Sequence, residues 1–374
     1  MRKTKVYRTQ THWMGLCDEN TIGNMQSSAG APAHFFRNAW YVAEIAAKVA
    51  GTPRAVRMLG QPIVLFRKRN GDPVALEDAC AHRKLPLSMG KVHGDQIQCG
   101  YHGMTYDARG ICTSIPGSPQ IPDNARVRSY PVAERYGFLW VWMGAVEAAN
   151  AHEIFAVENW DDPKMGRTEP DSMTVACNYL YITDNLLDPS HVAWVHPSSF
   201  GGPSCQETPL DTTALPNGVL VSRWMLNDEV APFYARFVRF RGRTDRQQHY
   251  EVRFPCHAII RAVFAPAGTG APEGRLHPDT FVMDSYNFMT PIDENTTRYF
   301  WFQTRNFAPG DAEVSKAFAS SVRAAFEEDK VVLEAVHIGM AAATAAHLDL
   351  VIDRGPTRFR RRLKQKIEAE AEAG

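Results

Sequence analysis

Two short loops carry the residues best suited to redox chemistry. They read Cys80-Ala-His82-Arg83 and Cys99-Gly-Tyr-His102-Gly103, with 16 residues between His82 and Cys99. Each loop offers one thiolate and one imidazole. A [2Fe–2S] cluster is ordinarily held by four thiolates, and two imidazoles on one iron raise its potential. Two sulfurs and two nitrogens from two loops are what such a mixed-ligand cluster needs. Pro86, Gly90, Gly100 and Gly103 flank these loops and suit a backbone folded tightly around a cluster. The competing reading is a Cys₂His₂ zinc site. Zinc fingers favour a cysteine pair followed by a histidine pair, whereas here each loop supplies one of each. His93 and Cys112 read as ordinary loop and strand residues.

A second group lies downstream, in Asp184-Asn185-Leu-Leu-Asp188-Pro-Ser-His191-Val-Ala-Trp-Val-His196. On one helix Asp184, Asp188 and His191 would share a face, and His196 stands before Pro197, where a helix would end. Two neutral imidazoles and one carboxylate make the facial triad of non-haem Fe(II) oxygenases, with positions left open for O₂. A nearby carboxylate can instead orient a ligating histidine. The third ligand need not be local. A helix predicted near the C-terminus carries an apolar stripe of Phe318, Val322, Ala325, Val332 and Val336. Asp329 falls inside that stripe, while Glu327, Glu328 and Lys330 fall outside it. A carboxylate buried there needs a partner or a metal.

The elements around these groups divide into two textures. From Phe35 to about Gly144 the pattern is short and β-like, as at Ala55–Met58, Pro62–Phe66, Val74–Glu77, Gln96–Cys99 and Phe138–Met143. Turn signals such as Asn70-Gly71-Asp72-Pro73 separate the strands. Residues 34–150 are therefore expected to form an all-β module, and residues 151–374 a second domain. That second part reads as a helix over about Thr183–Trp194 and strands at Gly218–Leu226, Gln248–Phe254, Ala258–Phe264, Phe281–Met289 and Thr297–Arg305. A long helix follows over about Ala312–Ile338. The tail Arg358–Lys366, basic and then acidic, reads as a solvated helix. Residues 1–33 read as a polar tail without the apolar core of a secretory signal, and Met25 is an alternative start.

Composition narrows the function classes. The 374 residues suit about two domains, and 44% are hydrophobic. Lys plus Arg and Asp plus Glu both total 41, so net charge makes no case for nucleic acid or an anionic membrane. No apolar run is long enough to suggest a membrane helix. The seven cysteines, an odd number, argue against a disulfide framework and for a reducing, cytoplasmic setting.

These motifs resemble the oxygenase α-subunit family of Rieske non-haem iron systems, in the branch of vanillate O-demethylase, dicamba O-demethylase and toluenesulfonate methyl-monooxygenase. The resemblance runs from about Phe35 onward. It rests on Asn38-Ala-Trp-Tyr-Val42, the two Cys/His loops, Asp184-Asn-Leu-Leu-Asp188-x-x-His191, Val195-His196, Tyr299-Phe-Trp301, Arg305-Asn306-Phe307 and Phe326-Glu-Glu-Asp329. It implies an α+β chain, with an N-terminal all-β Rieske domain followed by a helix-grip catalytic domain of antiparallel sheet and helices. Cys80, His82, Cys99 and His102 would bind the [2Fe–2S] cluster, and His191, His196 and Asp329 the mononuclear Fe(II). Asp188 resembles the family's bridging aspartate, between a cluster histidine of one subunit and an iron-binding histidine of the next in a homotrimer; Asn185 is the other candidate catalytic residue. Lys84 stands where many members have glycine, and Met104 where many have tryptophan.

The resemblance implies O₂-dependent oxidation of a small aromatic, acidic substrate by O-demethylation or methyl hydroxylation. Hydroxylating an aryl methyl ether would give a hemiacetal that collapses to a phenol and formaldehyde. No flavin or NAD motif appears, so a separate NAD(P)H-dependent flavin/ferredoxin-type reductase is implied. Asn287, Ser320 and Arg261 are the candidate substrate-binding residues, Arg261 for an acid group; its alternative is a side chain turned to solvent. A ring dioxygenase or aryl-ether-cleaving enzyme giving a cis-diol stays open, as does a Rieske electron carrier, which would have no use for the second iron group.

Overall fold

The computed structural model describes residues 35–202 and 204–373. The polar tail expected over 1–33, with its alternative start, lies outside the described residues. Eleven strands precede residue 143: β1 (Trp40–Ile45), β2 (Arg54–Met58), β3 (Gln61–Arg67), β4 (Pro73–Glu77), β5 (Lys91–His93), β6 (Gln96–Gln98), β7 (Thr105–Tyr106), β8 (Cys112–Ser114), β9 (Ser129–Tyr130), β10 (Val132–Arg135) and β11 (Phe138–Trp142). They pair as three small sheets, β1-β11-β10, β2-β3-β4-β9 and β5-β6-β7-β8. The last presents the second Cys/His loop in its β6–β7 turn, and the first loop follows β4.

The second part has β12 (Gly166–Arg167), β13 (Asp171–Val175), β14 (Asp211–Leu215), β15 (Gly218–Asp228), β16 (Thr244–Arg253), β17 (His257–Pro266), β18 (Phe281–Pro291) and β19 (Thr297–Arg305). They form one antiparallel sheet, β12-β19-β18-β17-β16-β15-β14, with β13 also paired to β19. Its helices are α1 (Tyr179–Asn185), α2 (Val192–Val195), α3 (Ser204–Glu207), α4 (Pro232–Ala235), α5 (Ala312–Ala342) and α6 (Arg354–Ala373). This is the expected all-β domain followed by an antiparallel sheet gripping helices.

Both faces of the large sheet are covered, which makes it a positioning device. On one face Phe288, Phe300 and Phe302 join a core with Trp140 and Trp142 of β11. Trp140 meets Phe288 edge-to-face at 5.0 Å, an arrangement worth about 0.5–1.5 kcal/mol beyond area burial. Long helix α5 covers the other face, where Phe326 packs on Tyr299 and Trp301 at 5.1 and 5.0 Å. Asp311 starts α5 by accepting a hydrogen bond from Val314 N at 3.0 Å.

Three expectations about elements need correction. The helix expected over Thr183–Trp194 is broken between Asn185 and Val192. Pro189 has no N–H to donate and disfavours helical backbone at Asp188, and the Asp188 carboxylate accepts from Ser190 N at 2.9 Å instead. The stripe of α5 continues from Asp329 to Leu333, leaving Val332 and Val336 exposed. Finally, the tail helix is docked rather than merely solvated. Phe359 and Leu363 of α6 are buried, and Arg360 grips Asp184 through Nε at 2.9 Å to both carboxylate oxygens. Glu370 accepts from the backbone N of Arg37 at 2.7 Å.

Candidate metal centres and cavity

In the first module Cys80 and Cys99 are buried while His82 and His102 are exposed. Their loops approach closely because two residues lack side chains. A Cβ on Gly90 would lie 2.0 Å from the Gln98 carbonyl oxygen, and one on Gly100 would lie 3.1 Å from that of Met89. The two imidazoles turn the same atom inward, Nδ1 to Nδ1 at 3.2 Å. Burial, the larger cause, and the neighbouring Cys80 push the pKa of the Cys99 thiol up. A buried thiolate pair therefore calls for a countercharge, which a metal supplies. Two sulfurs inside and two nitrogens at the rim fit a mixed-ligand cluster, and neither cysteine is in a disulfide.

Tyr106 joins this centre without having been foreseen. Its hydroxyl accepts from Ala81 N at 3.1 Å and lies 3.1 Å from the Cys80 sulfur, to which it would donate once that sulfur is a metal-bound thiolate. Met104 is buried against the same centre, its sulfur 3.8 Å from that hydroxyl. Lys84 adopts φ +58°, a left-handed conformation that glycine enters at no steric cost.

In the second module His191, His196 and Asp329 come together, their ligand atoms all within 4.8 Å of one another. The Nε2 atoms of His191 and His196 lie 3.6 and 3.1 Å from Asp329 Oδ1. Their Nδ1 atoms are engaged elsewhere. That of His191 donates to the Asp188 carbonyl, and that of His196 donates to Glu328 Oε2 at 2.6 Å. With those tautomers three lone pairs converge from the Nε2 atoms and the carboxylate, an arrangement reconciled by a cation. Burial alone pulls the His196 pKa down, and the Asp329 and Glu328 carboxylates more than reverse it.

The triad opens on a largely apolar cavity, a setting suited to a small molecule. Leu186, Phe200, Ile260, Met283 and Val322 supply much of its apolar wall, and Asn185 borders it. The other candidate substrate residues are corrected. Asn287 is fully buried but satisfied, accepting from Tyr299 Oη and donating to the Ser285 carbonyl, each at 2.8 Å. Ser285 reaches the cavity wall in its place. Ser320 is exposed on α5, off the stripe that holds Val322. Arg261 borders the cavity with its neighbours Ile260 and Ala262, but its side chain leaves the opposite sheet face from theirs. There Asp284 takes its Nε at 2.7 Å and its Nη2 at 2.9 Å, and Glu158 takes Nη2 at 2.8 Å. Those carboxylates hold the Arg261 guanidinium charged and leave it unfit for a substrate acid.

Asp184 and Asp188 do not share one helical face with His191, as the spacing predicted, because α1 ends at Asn185. Asp184 is turned to Arg360 of α6, away from the triad. The Asp188 carboxylate takes Ser190 N, while its carbonyl takes His191. Glu328, Tyr106, Arg246 and Gln248 are further residues at these centres that sequence reasoning missed. Glu328 carried only its adjacency to Asp329 as a signal.

A small all-β module with a two-Cys, two-His nest, joined to a helix-backed sheet with a His–His–carboxylate group, defines a two-centre oxygenase component. Comparison with known proteins agrees. Residues 39–131 match the Rieske [2Fe-2S] domain, and residues 175–369 match the vanillate O-demethylase oxygenase C-terminal domain. A putative toluene-4-sulfonate monooxygenase system iron-sulfur subunit of Comamonas testosteroni is 40% identical over 303 residues, covering 80% of this chain and 87% of that protein. A vanillate O-demethylase oxygenase subunit of a Pseudomonas species is 33% identical, covering 91% and 97%. Crystalline dicamba monooxygenase bound to 3,6-dichlorosalicylic acid superposes with a TM-score of 0.83 at 27% identity, over 90% of this chain and 99% of that one. The chain belongs to the vanillate O-demethylase branch of the Rieske non-haem iron oxygenases, as their terminal oxygenase. Its cofactors are a Rieske [2Fe–2S] cluster and a mononuclear non-haem iron. Relatives are described as an oxygenase subunit or an oxygenase component, wording that implies a further component beside each.

Proposed function

We propose that this terminal oxygenase oxidises a small aromatic substrate at a methyl or methoxy carbon, by methyl hydroxylation or O-demethylation. The observation that carries this reading is the convergence of His191, His196 and Asp329 at the wall of a largely apolar cavity. In this assignment Cys80, His82, Cys99 and His102 hold the cluster, and His191, His196 and Asp329 hold the iron. When bound, the two metal centres supply stored electrons and O₂ activation. The protein's own part is orientation and exclusion of water. Glu328 and the Asp188 carbonyl hold the two imidazoles in the tautomer that presents Nε2. The aromatic and aliphatic wall keeps the reacting carbon dry. Asn185 borders the cavity beside the triad and can orient a polar substituent.

The relatives support the substrate class, since their names refer to toluene-4-sulfonate, vanillate and dicamba. The electron donor is read as an NAD(P)H-dependent flavin or ferredoxin-type reductase. The functional unit is read as a homotrimer in which Asp188 links neighbouring subunits, and the setting as cytoplasmic, with no role for nucleic acid or membrane. No helix among the described residues is long and apolar enough to cross a membrane. Domain limits at 34–150 and 151–374 accommodate the two family matches.

The test is an oxidation screen of the iron-reconstituted protein with a surrogate reductase and NADH. Methoxy-, methyl- and phenoxy-substituted aromatic acids are offered, and formaldehyde and product mass are read together. Formaldehyde matched to methyl loss, or one oxygen gained on a methyl carbon, is expected. Two oxygens added to a ring would overturn the reading in favour of a cis-diol-forming dioxygenase.

A further inference from the structure

Arg246 lies in the wall of the cavity that also holds His191, His196 and Asp329. It is 2% exposed, and among the described residues no carboxylate pairs with it. Its Nη2 donates to the Phe200 carbonyl at 2.7 Å, and Nη1 reaches the Cys205 sulfur at 3.4 Å. Its Nε–H has no partner. Two residues along β16, on the same face, Gln248 shows the same deficit. Its Oε1 accepts from Arg223 Nε at 2.7 Å, and its Nε2 has no partner. Arg223 is buried as well, and its other donors go to the neutral carbonyls of Thr208 and Pro189. This end of the cavity therefore carries one buried guanidinium group, a second behind Gln248, and unused N–H donors, with only neutral acceptors in hydrogen-bond contact among the described residues.

Burying a cation without a countercharge is costly, and each unmade buried hydrogen bond adds to that cost. Arg261, by contrast, is saturated by Asp284 and Glu158 on the far face of the same sheet. What Arg246 and Gln248 lack is an oxyanion, which a guanidinium and an amide N–H would bind by charge-assisted hydrogen bonds.

We propose that Arg246 and Gln248 form the anion subsite of this cavity, receiving the carboxylate or sulfonate of an aromatic acid whose remainder packs on the apolar wall near the triad. This rests on the cavity being the substrate site, as proposed above. The geometry selects a monoanionic aromatic ring over its neutral counterpart, and makes Arg246 the residue that sets this preference.

The test measures binding to the metal-loaded protein by calorimetry, with 4-toluenesulfonate and 4-methylbenzoate against the neutral 4-toluenesulfonamide and 4-methylbenzamide. In the unmodified protein the anions should bind about ten- to a hundredfold more tightly than their amides, the range of one charge-assisted hydrogen bond. The ratio should fall toward unity in Arg246→Met and be partly restored in Arg246→Lys, with the visible cluster spectrum confirming a folded chain. The unmodified protein alone decides the matter should Arg246→Met not fold. Equal binding of anions and amides would overturn the subsite while leaving the oxygenase reading intact. An unchanged ratio in a folded Arg246→Met protein would do the same. If no compound in the series binds or is oxidised, the aromatic reading and the subsite both fall. A difference between the two anions in the unmodified protein, lost in Arg246→Met, would support the subsite and name the preferred head group.

Discussion

Glu328 Oε2 accepts from Nδ1 of His196 at 2.6 Å, while the next residue, Asp329, sets Oδ1 3.1 Å from Nε2 of the same ring. Consecutive residues of one helix thus hold both nitrogens of one imidazole. They can do so because Asp329 lies on the buried stripe of α5 and Glu328 at its edge, about half exposed at the side chain.

The pair separates binding from orientation. Glu328→Gln should keep the iron site but lower iron affinity by about 10- to 100-fold, the usual cost of losing a partner behind a metal ligand. Asp329→Asn should abolish retention of the mononuclear iron. Iron content after dialysis against a graded chelator checks both, with the cluster's visible absorption as an internal standard. Equal iron retention in Glu328→Gln and the unmodified protein would show that the Glu328 contact has no hold on the metal.

Tyr106 tunes the other centre. Its hydroxyl lies 3.1 Å from the Cys80 sulfur and accepts from Ala81 N, and a metal-bound Cys80 thiolate could only accept the hydroxyl proton. A hydrogen bond to a ligating sulfur favours the reduced, more negative cluster. Tyr106→Phe should therefore lower the cluster potential, by an amount on the order of tens of millivolts. Protein-film voltammetry reads the shift directly, and an unchanged or higher potential would contradict it.

His257 makes the fold sensitive to acid. It starts β17 at the seam between the modules, fully enclosed by Tyr41, Trp140, Phe155 and Phe288, and donates from Nε2 to the Trp40 carbonyl at 2.9 Å. Burial pushes its pKa down to about 4. The folded chain thus favours the neutral ring. The stabilisation is fully present above the ordinary histidine value of about 6.5 and is lost as pH falls from there toward about 4, amounting to roughly 3 kcal/mol. His257→Gln should flatten stability between those limits, at some cost near neutrality. Urea titrations of both proteins at about pH 7 and about pH 5 compare the slopes; parallel slopes would assign the acid sensitivity to other groups.

Much of the chemistry was legible before any fold was known. Cys80, His82, Cys99 and His102 announced themselves by type and local spacing, because each loop must bring its own sulfur and nitrogen. His191 and His196 were local too. Asp329, more than a hundred residues away, was still readable, since a helix with one buried stripe betrays a carboxylate placed inside it. The helix expected through His191 failed at Asp188-Pro189, where a proline signal was present but was outweighed by the favourable spacing.

The substrate side was decided only by tertiary structure. Strand β17 is buried or half-buried along its whole length, because α5 covers one face of the sheet and the β11 aromatics cover the other. A strand covered on both faces shows no alternation of polar and apolar residues, so nothing in its sequence told which face of Arg261 met the iron. The same packing placed Arg246 and Gln248 of β16 on the side of His191, His196 and Asp329, and left Arg246 Nε and Gln248 Nε2 without a partner among the described residues. The candidate ligands were written in residue types, short spacings and one helical stripe; which arginine side chain faces the cavity was decided by how the two modules and α5 close on the sheet.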